Sequence, residues 1–355
     1  MKHFALVTAA MLAATGGAHA GGVERSTQSV GILFEKGRYA ELSFGRFAPD
    51  VSGVSPLSPG ASSGDMAGDY NSWSLGYKMD IGDRMAFAMI LDEPIGADVN
   101  YATGTFYPAG GSTAKLSSSA ITALLRYQFE NNVSVYGGLR YQTVHGEVAL
   151  TGGYTLDTNY DSELGYVVGV AWEKPEIAAR VALTYNSAIT HSLESVEIGS
   201  PTAGFDTEVP QSVNLEFQTG IAKDTLLFGS IRWVDWTSFI INPPLYDAVS
   251  PLPLVDYAND RITYNLGVGR RFSENWAGAV TIGYEKSDGA PTGNLGPSDG
   301  LKSIGIAATY TMDNVKITGG VRYVDIGDAT TNPPVSGVFS DNSGVGVGIK
   351  IGYTF

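Results

Sequence analysis

The sequence predicts an all-β chain closing into a transmembrane antiparallel up-and-down β-barrel of about fourteen strands, preceded by a short N-terminal plug segment. Three observations carry this. Period-two alternation of apolar and small or polar residues recurs from one end of the chain to the other. The connections alternate in length, short and then long, which sorts them to two ends of a barrel. Each strand sets large apolar residues on one face against Gly, Ser, Thr, Asn, Gln and charges on the other, as a barrel with a lipid-facing exterior and a polar lumen requires.

The first segment, "MKHFALVTAAMLAATGGAHA", has a basic start (Lys2, His3), an apolar run from Phe4 to Ala14 and a small-residue site at Ala18-His19-Ala20. It predicts a signal peptide over 1–20, because the apolar run is too short to span a bilayer as a helix. Residues 21–36 are then the plug segment and 37–355 the barrel. The chain has 45 glycines without a G-X-Y period, 19 tyrosines and no cysteine. Disulfides and thiolate metal or redox sites are excluded. The formal charge of −14 argues against nucleic acid as a partner.

The strands follow in order. "RYAELSFGRF" (38–47) opens the series. "WSLGYKM" (73–79) sets Trp73, Leu75, Tyr77 and Met79 against Ser74, Gly76 and Lys78, and "RMAFAMIL" (84–91) is third. "ITALLRYQF" (121–129), "VSVYGGLRY" (133–141), "LGYVVGVAW" (164–172) and "IAARVALTY" (177–185) continue the rule. "VNLEFQTGI" (213–221), "LLFGSIRWV" (226–234), "ITYNLGVGRRF" (262–272), "WAGAVTIGY" (276–284), "SIGIAATY" (303–310) and "VKITGGVRY" (315–323) lead to "GVGVGIKIGYTF" (344–355). The count is even; fourteen fits, with twelve and sixteen as alternatives.

Short turns are expected at Gly82-Asp83, Glu130-Asn131-Asn132, Glu173-Lys174-Pro175, Lys223-Asp224, Ser273-Glu274-Asn275 and Asp313-Asn314. Long loops are expected over 52–70, 94–113, 146–161, 187–209, 238–260, 286–300 and 327–343. Trp172, Tyr127, Phe129, Phe272 and Trp276 beside the short turns, with Trp73 and Trp233 toward the loops, make two aromatic girdles. In the last strand Val345, Val347, Ile349, Ile351, Tyr353 and Phe355 read as the lipid face of a closing seam against the first strand.

The stretches "GGVERSTQSVGILFEKGRYAELSFGRFAPDVSGV" (21–54), "VPQSVNLEFQTGIAKDTLLFGSIRWVDWTSF" (209–239) with its Trp236-to-Phe239 ending, "DRITYNLGVGRRFSENWAGAVTIGYEKS" (260–287) and the terminal "GYTF" carry a likeness in order and spacing. They resemble the FadL family, the outer-membrane transporters of long-chain fatty acids and hydrocarbons in Gram-negative bacteria. The resemblance implies a cell outer-membrane location and passive passage of a long-chain fatty acid or other hydrophobic small molecule. It also implies contact with outer-membrane lipid and lipopolysaccharide, and insertion by the barrel-assembly machinery, whose sorting signal the aromatic end at Phe355 resembles. Family members carry a hatch of some forty residues with an Asn-Pro-Ala element; here 21–36 is shorter and lacks it, so a small plug or a partly open lumen is expected. The family's third strand is kinked to open the wall sideways. In "LDEPIGADV" (91–99), Pro94 removes a ladder donor and Gly96 relaxes the backbone, making them the candidate lateral opening. The plainer reading is that Pro94 ends the strand.

Strand parity turns Lys78, Arg126, Arg140, Arg180, Arg232, Arg271, Lys316, Arg322 and Lys350 into the lumen, against Glu41, Glu216 and Glu285. Of these, Arg140, Arg180, Glu216, Arg232, Arg322 and Lys350 are the candidate substrate-binding residues. The bases would attract a carboxylate headgroup; the alternative is that they pair across strands and stiffen the wall. Loop carboxylates such as Glu194, Glu197, Asp206, Glu208, Asp256, Asp260, Asp299 and Asp341 are expected to be solvated or to meet divalent cations.

Catalysis, a cofactor and a metal site are not expected. His145 and His191 read as isolated rim residues, and Ser192 next to His191 points to the opposite face. "GVGVG" lacks the GxGxxG spacing. The expected function is passive transport of hydrophobic compounds; the alternative is a general or anion-preferring diffusion porin, and a structural or adhesive barrel is a third class.

Overall fold

A computed structural model describes residues 23–355; the signal peptide expected over 1–20 lies outside the described residues. All fourteen expected strands are present and form one closed antiparallel barrel. They are β1 (Tyr39–Asp50), β2 (Tyr70–Ile81), β3 (Met85–Asp92, resuming as Ala97–Asn100), β4 (Thr113–Gln128), β5 (Val133–Ala149), β6 (Asp161–Lys174) and β7 (Ala179–Asn186). Then come β8 (Ser212–Ala222), β9 (Thr225–Val234), β10 (Arg261–Arg271), β11 (Trp276–Glu285), β12 (Leu301–Met312), β13 (Val315–Ile326) and β14 (Asn342–Thr354). Each pairs with the next, and β14 pairs with β1 from Tyr39↔Thr354 to Asp50↔Ser343, which leaves no open edge.

The inversion expected from parity is present. Phe44, Leu139 and Ile306 are 52%, 58% and 61% exposed, while Thr122, Gln142 and Thr184 are buried inside. Apolar side chains facing outward around the whole circumference are stable only against lipid. No helix among the described residues is long and apolar enough to cross a membrane, which says nothing about crossing by strands.

The short turns use residues that tolerate a left-handed backbone: Gly82 (φ 66°), Asn132 (φ 66°), Asp224 (φ 58°) and Asp313 (φ 49°). One turn is longer than expected. Pro175–Ile177 forms a 3₁₀ turn closed by Ala178 at φ 52°, so β7 starts at Ala179 rather than 177. Pro175 cannot donate to the ladder but suits the first position of a helical turn.

The largest departure is at the long-loop rim. Within the expected loops 146–161 and 187–209, Thr155–Thr158, Ile189–Glu197 and Ser200–Val209 are strands that extend the sheet beyond the barrel. Polar residues occupy both faces here because no lipid-facing side is required, so hydrophobic alternation did not mark them. The outer loops also build an apolar core of their own around Phe47, Met66, Tyr101, Tyr107 and Phe339, with Tyr101 and Tyr107 stacked at 5.5 Å.

Candidate functional site

The lumen is occupied from the short-turn end by residues 23–34. The 3₁₀ turn Gly31–Phe34 buries Ile32, Leu33 and Phe34 against Tyr39, Leu124, Tyr136 and Val167. Phe34 sits edge-on to Tyr136 at 6.0 Å, between the guanidinium groups of Arg126 (4.6 Å) and Arg180 (4.4 Å). Gly76 makes room for Ile32, whose side chain a Cβ there would approach to 2.5 Å.

Residues 23–30 then climb the wall to β3. The β2–β3 ladder stops at Leu75↔Leu91 and resumes beyond the kink at the Ala67↔Val99 bridge. Between these rungs the Pro94 carbonyl turns to the N-terminal segment, accepting from Arg25 N–H (2.9 Å) and Ser26 N–H (3.3 Å), and Gly96 N–H donates to Val23 (2.7 Å). Ser118 Oγ fills the place of a ladder partner, donating to the Ile95 carbonyl at 2.6 Å and accepting Ile95 N–H at 3.0 Å. The Glu93 carboxylate lies across the window beside Trp73. Gly96 does not adopt a positive φ; its lack of a side chain is what matters, since a Cβ would lie 2.8 Å from Arg25 Nε and 3.2 Å from the Leu116 carbonyl. Arg25 in turn lies 3.6 Å over the Tyr70 ring.

Above residues 23–34 is a cleft of about 1100 Å³, open solvent at its mouth included, with walls of Val99, Leu116, Val144, Val148, Leu193, Phe205, Val209, Phe239, Leu254 and Tyr257. Trp236 and Phe239, the pair spaced as W-x-x-F, fold inward from the 235–260 loop and pack at 5.7 Å beside Tyr257 and Ile95. A second cleft of about 800 Å³ shares Val23, Ala97, Val99, Tyr257 and Leu295 with the first and extends to Arg25, Tyr70 and Gly96. The two together lead from the outer loops to the kink. Asp256, on the first cleft, has its carboxyl pushed up by burial.

The candidate lumen residues face inward, and four of the six touch the N-terminal segment. Arg232 pairs with Glu24 and also donates to Asn214 (2.6 Å) and Ser212 (3.0 Å). Arg140 donates to Gln28 (2.7 Å) and Thr122 (3.0 Å). Glu216 accepts from Ser29 at 2.6 Å, and Arg180 lies on Phe34. Lys350 instead pairs with Glu41 at 2.7 Å on the neighbouring strand, and Arg322 donates to Ser303 at 2.8 Å. Further partners come from outside the inward-facing set: Glu173 for Arg126, Asp80 for Lys78 and Asp224 for Arg271. Counting three bases per acid left these carboxylates out because they lie on turns and strand ends, and Glu24 because it lies on the plug.

Sequence reasoning missed Glu24, Asp92 and Glu93, whose partners are remote in sequence; Asp92 accepts from Ser26 at 2.5 Å. Two loop carboxylates expected to be solvated are buried. Glu197 accepts from Leu245 N–H (3.0 Å), Tyr246 N–H (3.1 Å), Tyr154 and Thr202. Asp299 accepts from Gly289 N–H (2.7 Å), Ser287 (2.7 Å) and Arg261 (2.9 Å). Burial raises each carboxyl, but these hydrogen bonds outweigh it and bring both below the ordinary range. His191 is likewise no plain rim residue: it is fully buried and bonds Asp161 at 2.9 Å, while Ser192 bonds Asp206 at 2.8 Å on the opposite face.

A closed barrel, an N-terminal segment lying in its lumen and an interrupted third strand together define the class: a transmembrane β-barrel with a largely apolar lumenal cleft. Solved structures of this fold are similar over nearly the whole chain. A FadL homologue of Pseudomonas aeruginosa matches with TM-score 0.71 at 14% identity, over 91% of this chain and 92% of that one. The Pseudomonas putida toluene transporter TodX matches with TM-score 0.66 at 12% identity over 98% of both chains. The Ralstonia pickettii toluene transporter TbuX matches with TM-score 0.62 at 14% identity, again over 98% of both. No family model matches the chain, and no curated protein matches its sequence.

Proposed function

We propose that the protein is an outer-membrane channel of the FadL type that passes small hydrophobic compounds inward without energy input, and that residues 21–36 are its plug. The observation that carries this is the pair of clefts, walled largely by apolar side chains and sharing Val23, Val99 and Tyr257, that runs from the outer loops over residues 23–34 to Gly96. An apolar compound gains about 25 cal/mol per Å² of surface removed from water, enough to concentrate it in such a cleft. The fold shared with the toluene transporters TodX and TbuX supports the same class of cargo.

Exit is proposed to be sideways, through the β2–β3 window, where Glu93 and Trp73 face each other and Gly96 N–H is already committed to Val23. An uncharged compound suits the cleft better than a fatty acid: Arg140, Arg180 and Arg232 are engaged by the plug, and Arg261 near the cleft mouth is held by Asp288 and Asp299. The test uses the absence of cysteine. Trp73→Cys with Glu93→Cys, bridged by a short bismaleimide, should abolish hydrocarbon uptake while ligand binding to purified protein persists. Unchanged uptake would refute sideways exit. Large, ohmic channels of the unmodified protein in a planar bilayer would refute the transporter reading and favour the diffusion porin.

A further inference from the structure

Three side chains on the outer face of the rim, remote from the lumen, are arranged as a cation site. His145 and Glu147 are two residues apart on β5 and share the parity of exposed Leu139 and Tyr141, while the flanking Val144 and Val148 turn inward. His145 lies four residues past Tyr141, about 13 Å further along the strand and beyond the aromatic level. Asp157, on the strand Thr155–Thr158, stands directly opposite Glu147 in register and on the same face.

The imidazole is oriented in the manner of a metal ligand. Its Nδ1 lies 2.9 Å from the Thr158 carbonyl, which can only accept, so Nδ1 carries the proton. In the neutral ring the bare Nε2 lone pair then points at Glu147 Oε1, 3.1 Å away. A proton on Nε2 or a metal ion held between the two atoms satisfies that contact. A backbone carbonyl holding the far nitrogen is the usual outer partner of a ligating histidine. Tyr160 fixes the ring further, stacked at 4.2 Å and 18°.

The carboxylates add the same demand. Cross-strand pairs of like charge destabilise a sheet, yet Glu147 and Asp157 form one. Lys115 stands on the other side of Glu147 but also opposes Asp98, so one lysine serves a row of three carboxylates. One ligand atom from each of His145, Glu147 and Asp157 lies within 4.8 Å of the others. Tetrahedral coordination with bonds of about 2.0–2.2 Å needs donor separations of about 3.4 Å, within reach of small side-chain adjustments.

We propose that His145, Glu147 and Asp157 bind a divalent transition-metal ion of the zinc class on the outer surface, with water completing the shell. One nitrogen and two carboxylates favour zinc, cobalt or nickel over calcium or magnesium, which take oxygen ligands. The site stands outside the cleft and does not depend on the transport reading.

The test is titration of the full-length, detergent-purified protein, carrying no histidine tag, with zinc chloride by calorimetry and with cobalt(II) by visible absorption. The expected result is one equivalent of zinc, d–d bands of a low-coordinate cobalt centre, and at least a tenfold loss of zinc affinity in His145→Ala and in Asp157→Asn. Glu194→Gln, an exposed rim carboxylate outside the cluster, should titrate as the unmodified protein does. Heat-modifiability on gels confirms that each variant is folded. Absence of zinc binding to the folded unmodified protein, or unchanged affinity in folded His145→Ala, would overturn the proposal.

Discussion

Replacing Glu24 with alanine should loosen the plug without unfolding the barrel. Glu24 and Arg232 are both buried, 6% and 5% exposed, and the pair ties the first described residues of the plug to β9. Removing one partner of a buried pair costs about 3–5 kcal/mol because the other charge is left uncompensated. Arg232 keeps its bonds to Asn214 and Ser212, which places the cost near the lower end, at about 3 kcal/mol. At about 1.4 kcal/mol per factor of ten, that raises the open-plug population by roughly two orders of magnitude. Hydrogen exchange reads this directly: Arg25 and Ser26 N–H, which donate to the Pro94 carbonyl, and Gly96 N–H, which donates to Val23, should each lose about a hundredfold in protection. Amides of the β10 ladder, such as Leu266, should not change. Flickering conductance in planar bilayers should accompany the loss. The double variant Glu24→Ala with Arg232→Met should recover much of the protection, since it leaves no buried charge. Undiminished protection in Glu24→Ala, or a uniform loss across the barrel, would refute the view that this pair anchors the plug.

Other substitutions probe the rest of the structure. Gly96→Val should displace Arg25 from Tyr70, cost about 1–3 kcal/mol through overpacking and raise exchange in residues 23–28, as read by mass spectrometry. Val209→Asp should put a charge into the apolar cleft and lower the affinity for a fluorescent aromatic probe at least tenfold, measured by titration of purified protein. Ile306→Arg, in the middle of β12 and facing lipid, should destabilise insertion into vesicles by about 2–4 kcal/mol in urea titrations. Glu197 and Asp299 have lowered folded-state values, so their contribution is fully present above the unfolded-state value of about 4 and is lost as pH falls through the folded one. Exchange protection of Leu245, Tyr246 and Gly289 N–H should therefore hold from neutral pH down to about pH 5 and collapse in more acidic buffer; collapse already at pH 6 would contradict that sign.

The strands themselves were legible without coordinates, because lipid outside and water-compatible groups inside impose a period of two that any residue window reveals. Ile262, Tyr264, Leu266 and Val268 announce a lipid face as plainly in the sequence as in the barrel. That the third strand breaks its ladder near Pro94 was legible too, since Pro94 cannot donate to a ladder wherever it sits. What could not be read was which groups meet across the lumen. Arg232 and Glu24 are separated by 208 positions and Ser29 and Glu216 by 187, and no local pattern records such a meeting. Parity assigns a side chain to the inside; only closure of the sheet decides that Gln28, Phe34 and Glu24 stand against Arg140, Arg180 and Arg232. The rim escaped for the complementary reason. Above the lipid both faces of a strand are free to be polar, so Ile189–Glu197 and Thr155–Thr158 carry no hydrophobic signature, and register alone brings Asp157 to Glu147 beside His145. The solvent around each strand thus wrote itself into the sequence, while the partners each charge finds were decided by the closed barrel.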